Sequence, residues 1–197
     1  MSKHTKFSTK RVVIDALLIS LFFVLSLFSV EIGGVKITFV SLPTVVCAML
    51  YGPVDACIVG FLGAFLEQML KYGFTATTIL WLLPAVIRGL IVGLGTVVLR
   101  KSMSIEAITS TKKPYVYYIV CIAAGLVTSC ANTLVFYLDS VIYHYYSFAM
   151  VFGVFWVRLA TGALASFLTA TVALPVVMAL RKFHLADANP RRKASAQ

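Results

Sequence analysis

A chain of 197 residues that is 60% hydrophobic and only 12% charged, with a mean hydropathy of +0.96, is too apolar for a soluble domain, where about a quarter of residues carry charge. It reads as one integral membrane domain. The formal net charge of +10 would suggest nucleic acid in a soluble protein, but here its distribution reports topology, and no nucleic-acid partner is expected.

In chain order, residues 1–11 form a basic N-terminus carrying Lys3, Lys6, Lys10 and Arg11. The apolar runs then predict six helical spans, over roughly 12–31, 37–51, 54–71, 78–100, 115–138 and 148–180. About 20 helical residues cross a bilayer core, so the second run is short and the last long enough to begin outside the core. The first run is longer than a signal-peptide core and ends in no clear small-residue cleavage site. "EIGGVK" (31–36) links the first two spans, with Gly33-Gly34 as a flexible turn, and "YGP" (51–53) closes a tight link to the third. "DSVIYHYYS" (139–147) reads as an aromatic connection suited to a membrane interface. The basic segment 182–197 reads as a disordered cytoplasmic tail. The expected architecture is an all-α membrane protein, a six-transmembrane-helix bundle over residues 12–181.

Charge sets the expected orientation. With six spans, Lys3, Lys6, Lys10, Arg11, Arg100, Lys101, Lys112, Lys113, Arg181, Lys182, Arg191, Arg192 and Lys193 all fall on one side, and only Lys36 and Lys71 fall near the other. Cytoplasmic loops are the basic ones, so both termini are placed in the cytoplasm. Cys47, Cys57, Cys121 and Cys130 lie in apolar segments without metal-ligand spacing and read as small buried hydrophobes. No metal and no cofactor are expected. The chain has no phosphate-binding GxxxxGK[ST] loop, no GxSxG and no HExxH, so an enzyme is not expected.

Ionisable side chains inside a span are costly and need a reason. Asp15, one turn from Arg11, suggests a local i,i+4 pair. Glu67 shares a helix face with Gly60 and Gly63 and adjoins Gln68. Arg88, with Trp81 and Pro84 on its face, is about ten residues into the fourth span, on the order of 15 Å deep. Arg158 is similarly deep, beside Phe155 and Gly162, and Asn132 shares a face with Ser129 and Phe136. Two readings compete. In one, a salt-bridge network such as Glu67 with Arg88 locks the helices. In the other, Glu67, Gln68, Trp81, Arg88, Asn132 and Arg158 line an outward-facing pocket, with Trp81 stacking on a flat ring and the arginines holding an acid.

Two stretches carry a family resemblance. Residues 33–70, "GGVKITFVSLPTVVCAMLYGPVDACIVGFLGAFLEQML", resemble the "I-x-F-x-x-L-P … G-P-x-x-G-x-x-x-G-x-x-G-D" region of the S components of energy-coupling factor (ECF) vitamin transporters, and residues 73–95, "GFTATTILWLLPAVIRGLIVGLG", resemble a second such stretch. Ala64 stands where many members have aspartate, with Glu67 one turn later. The resemblance covers about residues 12–180. It implies the substrate-capture subunit of an ECF-type importer in the bacterial plasma membrane. That subunit would bind a water-soluble vitamin or precursor: folate, pantothenate, a pyridoxine-like compound or a cobalamin precursor. Residues 31–38 would act as a lid, and the partners would be a membrane coupling subunit and two cytoplasmic ATPases. Docking would use a small-xxx-small face, here Ala16 and Ser20. Gly89 and Gly93 read as internal packing. The alternatives are a non-transport assembly or regulatory subunit whose buried charges only pack helices, and an intramembrane enzyme.

Overall fold

The computed structural model describes residues 9–32, 35–102 and 115–182. The segments 1–8, 103–114 and 183–197, with Lys3, Lys6, Lys112, Lys113 and the tail, lie outside the described residues, as do Gly33 and Gly34. Seven helices and one hairpin follow in order: α1 (Thr9–Leu27), β1 (Val30–Ile32), β2 (Val35–Ile37), α2 (Ser41–Leu50), α3 (Pro53–Lys71), α4 (Thr78–Ser102), α5 (Tyr115–Ile142), α6 (Phe148–Phe152) and α7 (Phe155–Lys182).

Every expected span corresponds to helix. Among the described residues four stretches are long and apolar enough to cross a membrane: α3, Thr78–Arg100 of α4, α5, and Phe148–Leu180 across α6 and α7. α1 has 19 residues but carries Lys10, Arg11 and Asp15. α2 has ten residues, about 15 Å of helix, roughly half a bilayer core. The first span ends earlier than its apolar run because β-branched residues on either side of the turn pair as a hairpin. Its register sets Val30 opposite Ile37, Glu31 opposite Lys36 and Ile32 opposite Val35. This hairpin is an addition to the all-helical expectation. The last span is interrupted at Gly153, whose N–H closes the short α6 onto the Ala149 carbonyl at 2.9 Å.

α2 is the centre of the bundle. Nine of its ten residues are buried, and it packs against α1, α3, α4 and α7. Val45, Val46, Cys47 and Ala48 form one core with Val92, Cys121, Ala124, Ala173 and Val177. Its C-terminal carbonyls of Met49 and Leu50 accept from the Arg100 guanidinium of α4, a cation at the negative end of a helix. The "YGP" link is tight as expected: Gly52 adopts φ +101°, and Pro53 starts α3 in its first turn, where the missing N–H costs nothing.

α3 and α4 form the closest helix pair. A side chain at Gly89 would meet the Ala56 carbonyl oxygen at 2.7 Å, one at Gly60 would meet the Ala85 carbonyl oxygen at 2.9 Å, and Gly93 lies on Pro53. The reading of Gly89 and Gly93 as internal packing agrees with this contact.

The charge at the start of α1 is partnered differently from expectation. Arg11 forms its ion pair with Asp55 of α3, a fully buried carboxylate, rather than with Asp15. Asp15 is itself buried and accepts from the Cys47 thiol at 3.5 Å. At the other end of the same helix pair, the Lys71 ammonium donates to the Ser26 carbonyl and to Ser29 Oγ. The four cysteines are free. Cys47 and Cys121 are buried and Cys57 is half-buried, but Cys130 is exposed on the bundle surface, which corrects the uniform buried reading.

Helix propensity alone would make Gly89→Ala stabilising by about 1 kcal/mol. The close approach of Ala56 reverses the sign. Gly89→Ala is expected to destabilise by roughly 1–3 kcal/mol, as overpacking does, in a thermal melt of the purified protein, while Leu90→Ala on the exposed face changes little. A stabilised Gly89→Ala would refute the close packing.

Candidate functional site

A cavity of about 590 Å³ occupies the half of the bundle towards Lys71, above the first turn of α2. Its size falls among ordinary small-molecule sites, about 300–1,000 Å³. All the long helices and α2 present a face to it, α1 through Phe22. α2 supplies Ser41 and Thr44, and α3 supplies Ala64, Glu67 and Gln68. α4 supplies Trp81, Pro84 and Arg88, a single face at i, i+3, i+7 spacing. α5 supplies Ser129, Asn132, Phe136 and Asp139, and α7 supplies Arg158 and Gly162. All six residues singled out from the sequence, Glu67, Gln68, Trp81, Arg88, Asn132 and Arg158, therefore line one cavity. Phe155, placed beside Arg158 by sequence, is not among the lining residues. Ala16 and Ser20 lie elsewhere, exposed on the outside of α1, with the Ser20 hydroxyl satisfied by the Ala16 carbonyl at 3.0 Å.

The charges are arranged in a way that separates packing from binding. Glu67, buried at 7% exposure, lies 3.7 Å from Lys71 one turn on. Arg88 Nε donates to Thr128 Oγ1 at 3.4 Å, and among the described residues Arg88 makes no ion pair. The Glu67–Arg88 bridge weighed from the sequence does not form, because each side chain faces the cavity from its own wall. The Arg158 guanidinium lies over the Phe136 ring, 4.6 Å from its centre, a cation–π arrangement. Phe136 also meets the Trp81 ring edge-on, with centroids 6.5 Å apart.

Asp139 is the site residue that sequence reading missed. The sequence places it at the start of an aromatic connection, yet α5 continues to Ile142. Asn132, Phe136 and Asp139 fall at i, i+4, i+7, so the helical period could have found it. Its carboxylate accepts from Trp81 Nε1 at 3.3 Å and from the Tyr145 hydroxyl. Burial, and then its bond to Asp139, push the Tyr145 phenol up to about 12, so it remains a donor at ordinary pH. Tyr143 also lines the cavity. Among the described residues no group of His, Cys, Asp and Glu could hold a metal ion.

The walls thus combine aromatic rings, two amides, two carboxylates and two guanidinium groups above the hydroxyls of Ser41 and Thr44. Such a set suits a flat, polar-edged molecule that is held by stacking and by directed hydrogen bonds.

The two arginine environments predict opposite mutational behaviour. Arg11→Ala leaves the Asp55 carboxylate buried and unpaired, and a loss of about 3–5 kcal/mol is expected. Arg88→Ala strands no partner, since Thr128 Oγ1 still donates to the Ala124 carbonyl at 2.6 Å, so its thermal midpoint should stay near that of the parent. Equal destabilisation by both would mean that Arg88 is a structural group.

Residues 6–182 match the family model described as ECF-type riboflavin transporter, S component. No individual curated protein matches the chain. The match spans most of the chain, and the protein belongs to this family of ECF transporter S components.

Proposed function

From membership in this family, we propose that the protein captures riboflavin from outside a bacterial cell and releases it inward when docked to a membrane coupling subunit driven by two cytoplasmic ATPases. The observation that carries the reading is the cavity itself, framed by α1, α2, α3, α4, α5 and α7 and lined by Arg88 without an ion pair among the described residues. Riboflavin is none of the four vitamin classes weighed from the sequence, and it carries no carboxylate. Its flat tricyclic ring suits Trp81 and Phe136, its imide edge suits the amides of Gln68 and Asn132, and its carbonyls and hydroxyls suit Arg88, Arg158 and Glu67. The arginines then act as hydrogen-bond donors rather than as partners for an acid.

The topology proposed is six spans with both termini in the cytoplasm. The thirteen basic residues grouped by the sequence support it. The cavity then faces outward, and the hairpin that ends just before the cavity residue Thr38 serves as its lid. The exposed small residues Ala16 and Ser20 give a face on which a partner helix can approach closely. The reading of the buried charges as packing alone is disfavoured by Arg88, which is held by one hydroxyl where a lock would need a carboxylate.

The test is a titration of the purified protein with riboflavin and a panel of other water-soluble vitamins, followed by tryptophan fluorescence. Saturable quenching by riboflavin is expected, and Arg88→Ala or Glu67→Ala should weaken it about tenfold or more, which corresponds to about 1.4 kcal/mol. Tight binding of another vitamin would replace riboflavin in this reading. A response to none, in folded protein, would remove the transport reading.

For docking, Ala16→Trp or Ser20→Trp is expected to abolish uptake by cells carrying the complete transporter while leaving riboflavin affinity unchanged. Normal uptake would exclude that face.

A further inference from the structure

The ligand cavity uses none of the polar groups at the opposite end of the bundle, where α1, α2 and α3 meet. Two carboxylates are buried there: Asp15 of α1 is 7% exposed and Asp55 of α3 is 0% exposed. We propose that Asp15 is a proton-binding site, a neutral carboxylic acid at neutral pH, and that its proton seats this end of α1 on α2 and α3. The inference goes beyond the riboflavin reading and does not rest on it.

The cluster holds more acid than base. The Arg11 guanidinium is committed to Asp55 Oδ2 on one side and lies 5.4 Å from the centre of the Tyr51 ring on another. Of the helices packed against α1, α2 brings Cys47 and Tyr51 to Asp15, and α3 brings Asp55. Lys10 of α1 is exposed. Lys71 of α3, with Glu67 beside it, meets α1 at Ser26, about 16 Å further along the helix at 1.5 Å per residue. With both carboxylates ionised, two negative charges would face one guanidinium away from water, and an unmatched buried charge is costly. One proton makes the cluster neutral.

Hydrogen bonding decides which carboxyl holds that proton. A buried carboxylate stays ionised where a cation or two to three strong donors bind it. Asp55 has its guanidinium. Among the described residues, the donor to Asp15 is the Cys47 thiol, at 3.5 Å from Oδ1, and a thiol is a weak donor. Asp15 is therefore the acid. A second observation points the same way. Asp55 Oδ1, the oxygen that Arg11 does not take, is buried and has no hydrogen-bond partner among the described residues. An unfilled acceptor on a buried carboxylate calls for a donor, and a protonated Asp15 adds an O–H to this cluster.

The placement gives the proton a structural consequence. Asp15 faces inward next to Ala16, which is exposed on the outside of α1. Its neighbour Cys47 is 0% exposed and belongs to the core built around α2. Loss of the proton would put a charge without a cation of its own between α1 and that core, so α1 loosens as pH rises. Ordinary charged packing would predict the reverse, a firmer α1 with Asp15 ionised.

The experiment uses the full chain without ligand and compares the parent with Asp15→Asn and Asp55→Asn. Infrared spectra at pH 7 are expected to show a protonated-carboxyl carbonyl band in the parent that Asp15→Asn removes. Asp55→Asn should remove it too, because Arg11 is then released to Asp15. In thermal melts Asp15→Asn should exceed the parent by a few degrees at pH 8. The difference should close as pH falls towards about 4, where an aspartate in the unfolded chain also takes up its proton. At pH 9, α1 amides are expected to exchange severalfold faster in the parent than in Asp15→Asn, with α5 amides alike in both. Absence of an acid band sensitive to Asp15→Asn overturns the proposal. So does an Asp15→Asn protein that fails to fold or melts below the parent at pH 8, since asparagine is the near-isosteric stand-in for the neutral acid. An acid band with equal α1 exchange at pH 9 would overturn the seating of α1. Riboflavin binding, or its absence, alters none of these outcomes.

Discussion

The fold depends on one short helix. α2 is buried at nine of its ten residues, yet it is short in a bundle whose long helices run 19 to 28 residues. A helix rises 1.5 Å per residue, so α2 fills about 15 Å of a space that its neighbours extend along for about 28–42 Å. Arg100 fixes its lower end through the Met49 and Leu50 carbonyls, and Ser41, in its first turn, shares a hydrogen bond of 3.1 Å with Thr169 of α7. With both ends tied, α2 cannot slide towards Lys71. The volume above its first turn is left to side chains from the surrounding helices, and it is there that the cavity lies.

This division sorts the polar groups of the molecule. Below the first turn of α2, Arg11 meets Asp55, Arg100 meets carbonyls, Asp15 accepts from the Cys47 thiol, and the glycines of α4 lie directly on the backbone of α3. Breaking a buried pair there is costly because a charge is left without water. Above it, polar side chains face the cavity, where Arg88 and Asn132 sit with aromatic neighbours. A cavity that admits water or ligand lowers the desolvation penalty that would otherwise exclude such residues from an apolar bundle. The same residue types therefore do different work in the two halves, and burial with a partner distinguishes the first from the second.

Much of this was legible in the sequence because it is local. Apolar runs fix where helices lie, and the 3.6-residue period fixes which residues share a face, so Trp81, Pro84 and Arg88 could be grouped before any helix was placed against another. Partner choice was not legible. Arg11 reaches Asp55 across 44 residues, and nothing in the local i,i+4 spacing that favoured Asp15 reports how α1 sits against α3. The hairpin before α2 was hidden by its length, since three residues per strand give no alternation to read. Asp139 was hidden by its company: a run of tyrosines after it looked like a connection, while the helix carried on beneath them. The identity of the vitamin was beyond reach for a further reason. Arginine donates to carbonyls and hydroxyls as well as to carboxylates, so two arginines in a site suggest an acid without requiring one.

α1 links the docking reading to the cavity. Ala16 and Ser20 lie exposed on one side of it, and Phe22 lies on the opposite side, 3% exposed and lining the cavity. The Phe22 ring occupies the space that a side chain at Gly63 of α3 would take. A helix of this length moves as a rod, and packed interfaces shift between discrete arrangements more readily than they deform. A partner that closes on Ala16 and Ser20 therefore acts on the rod that carries Phe22. Besides this packing, polar contacts hold the rod to α3 near both ends, Arg11 to Asp55 at one and Lys71 to Ser26 at the other. The second of these is partly exposed and lies beside Glu67, a cavity residue. The Lys71 contact is thus the weaker of the two attachments, and a tilt of α1 about its Asp55 end would move Phe22 at the cavity wall while leaving the buried pair intact.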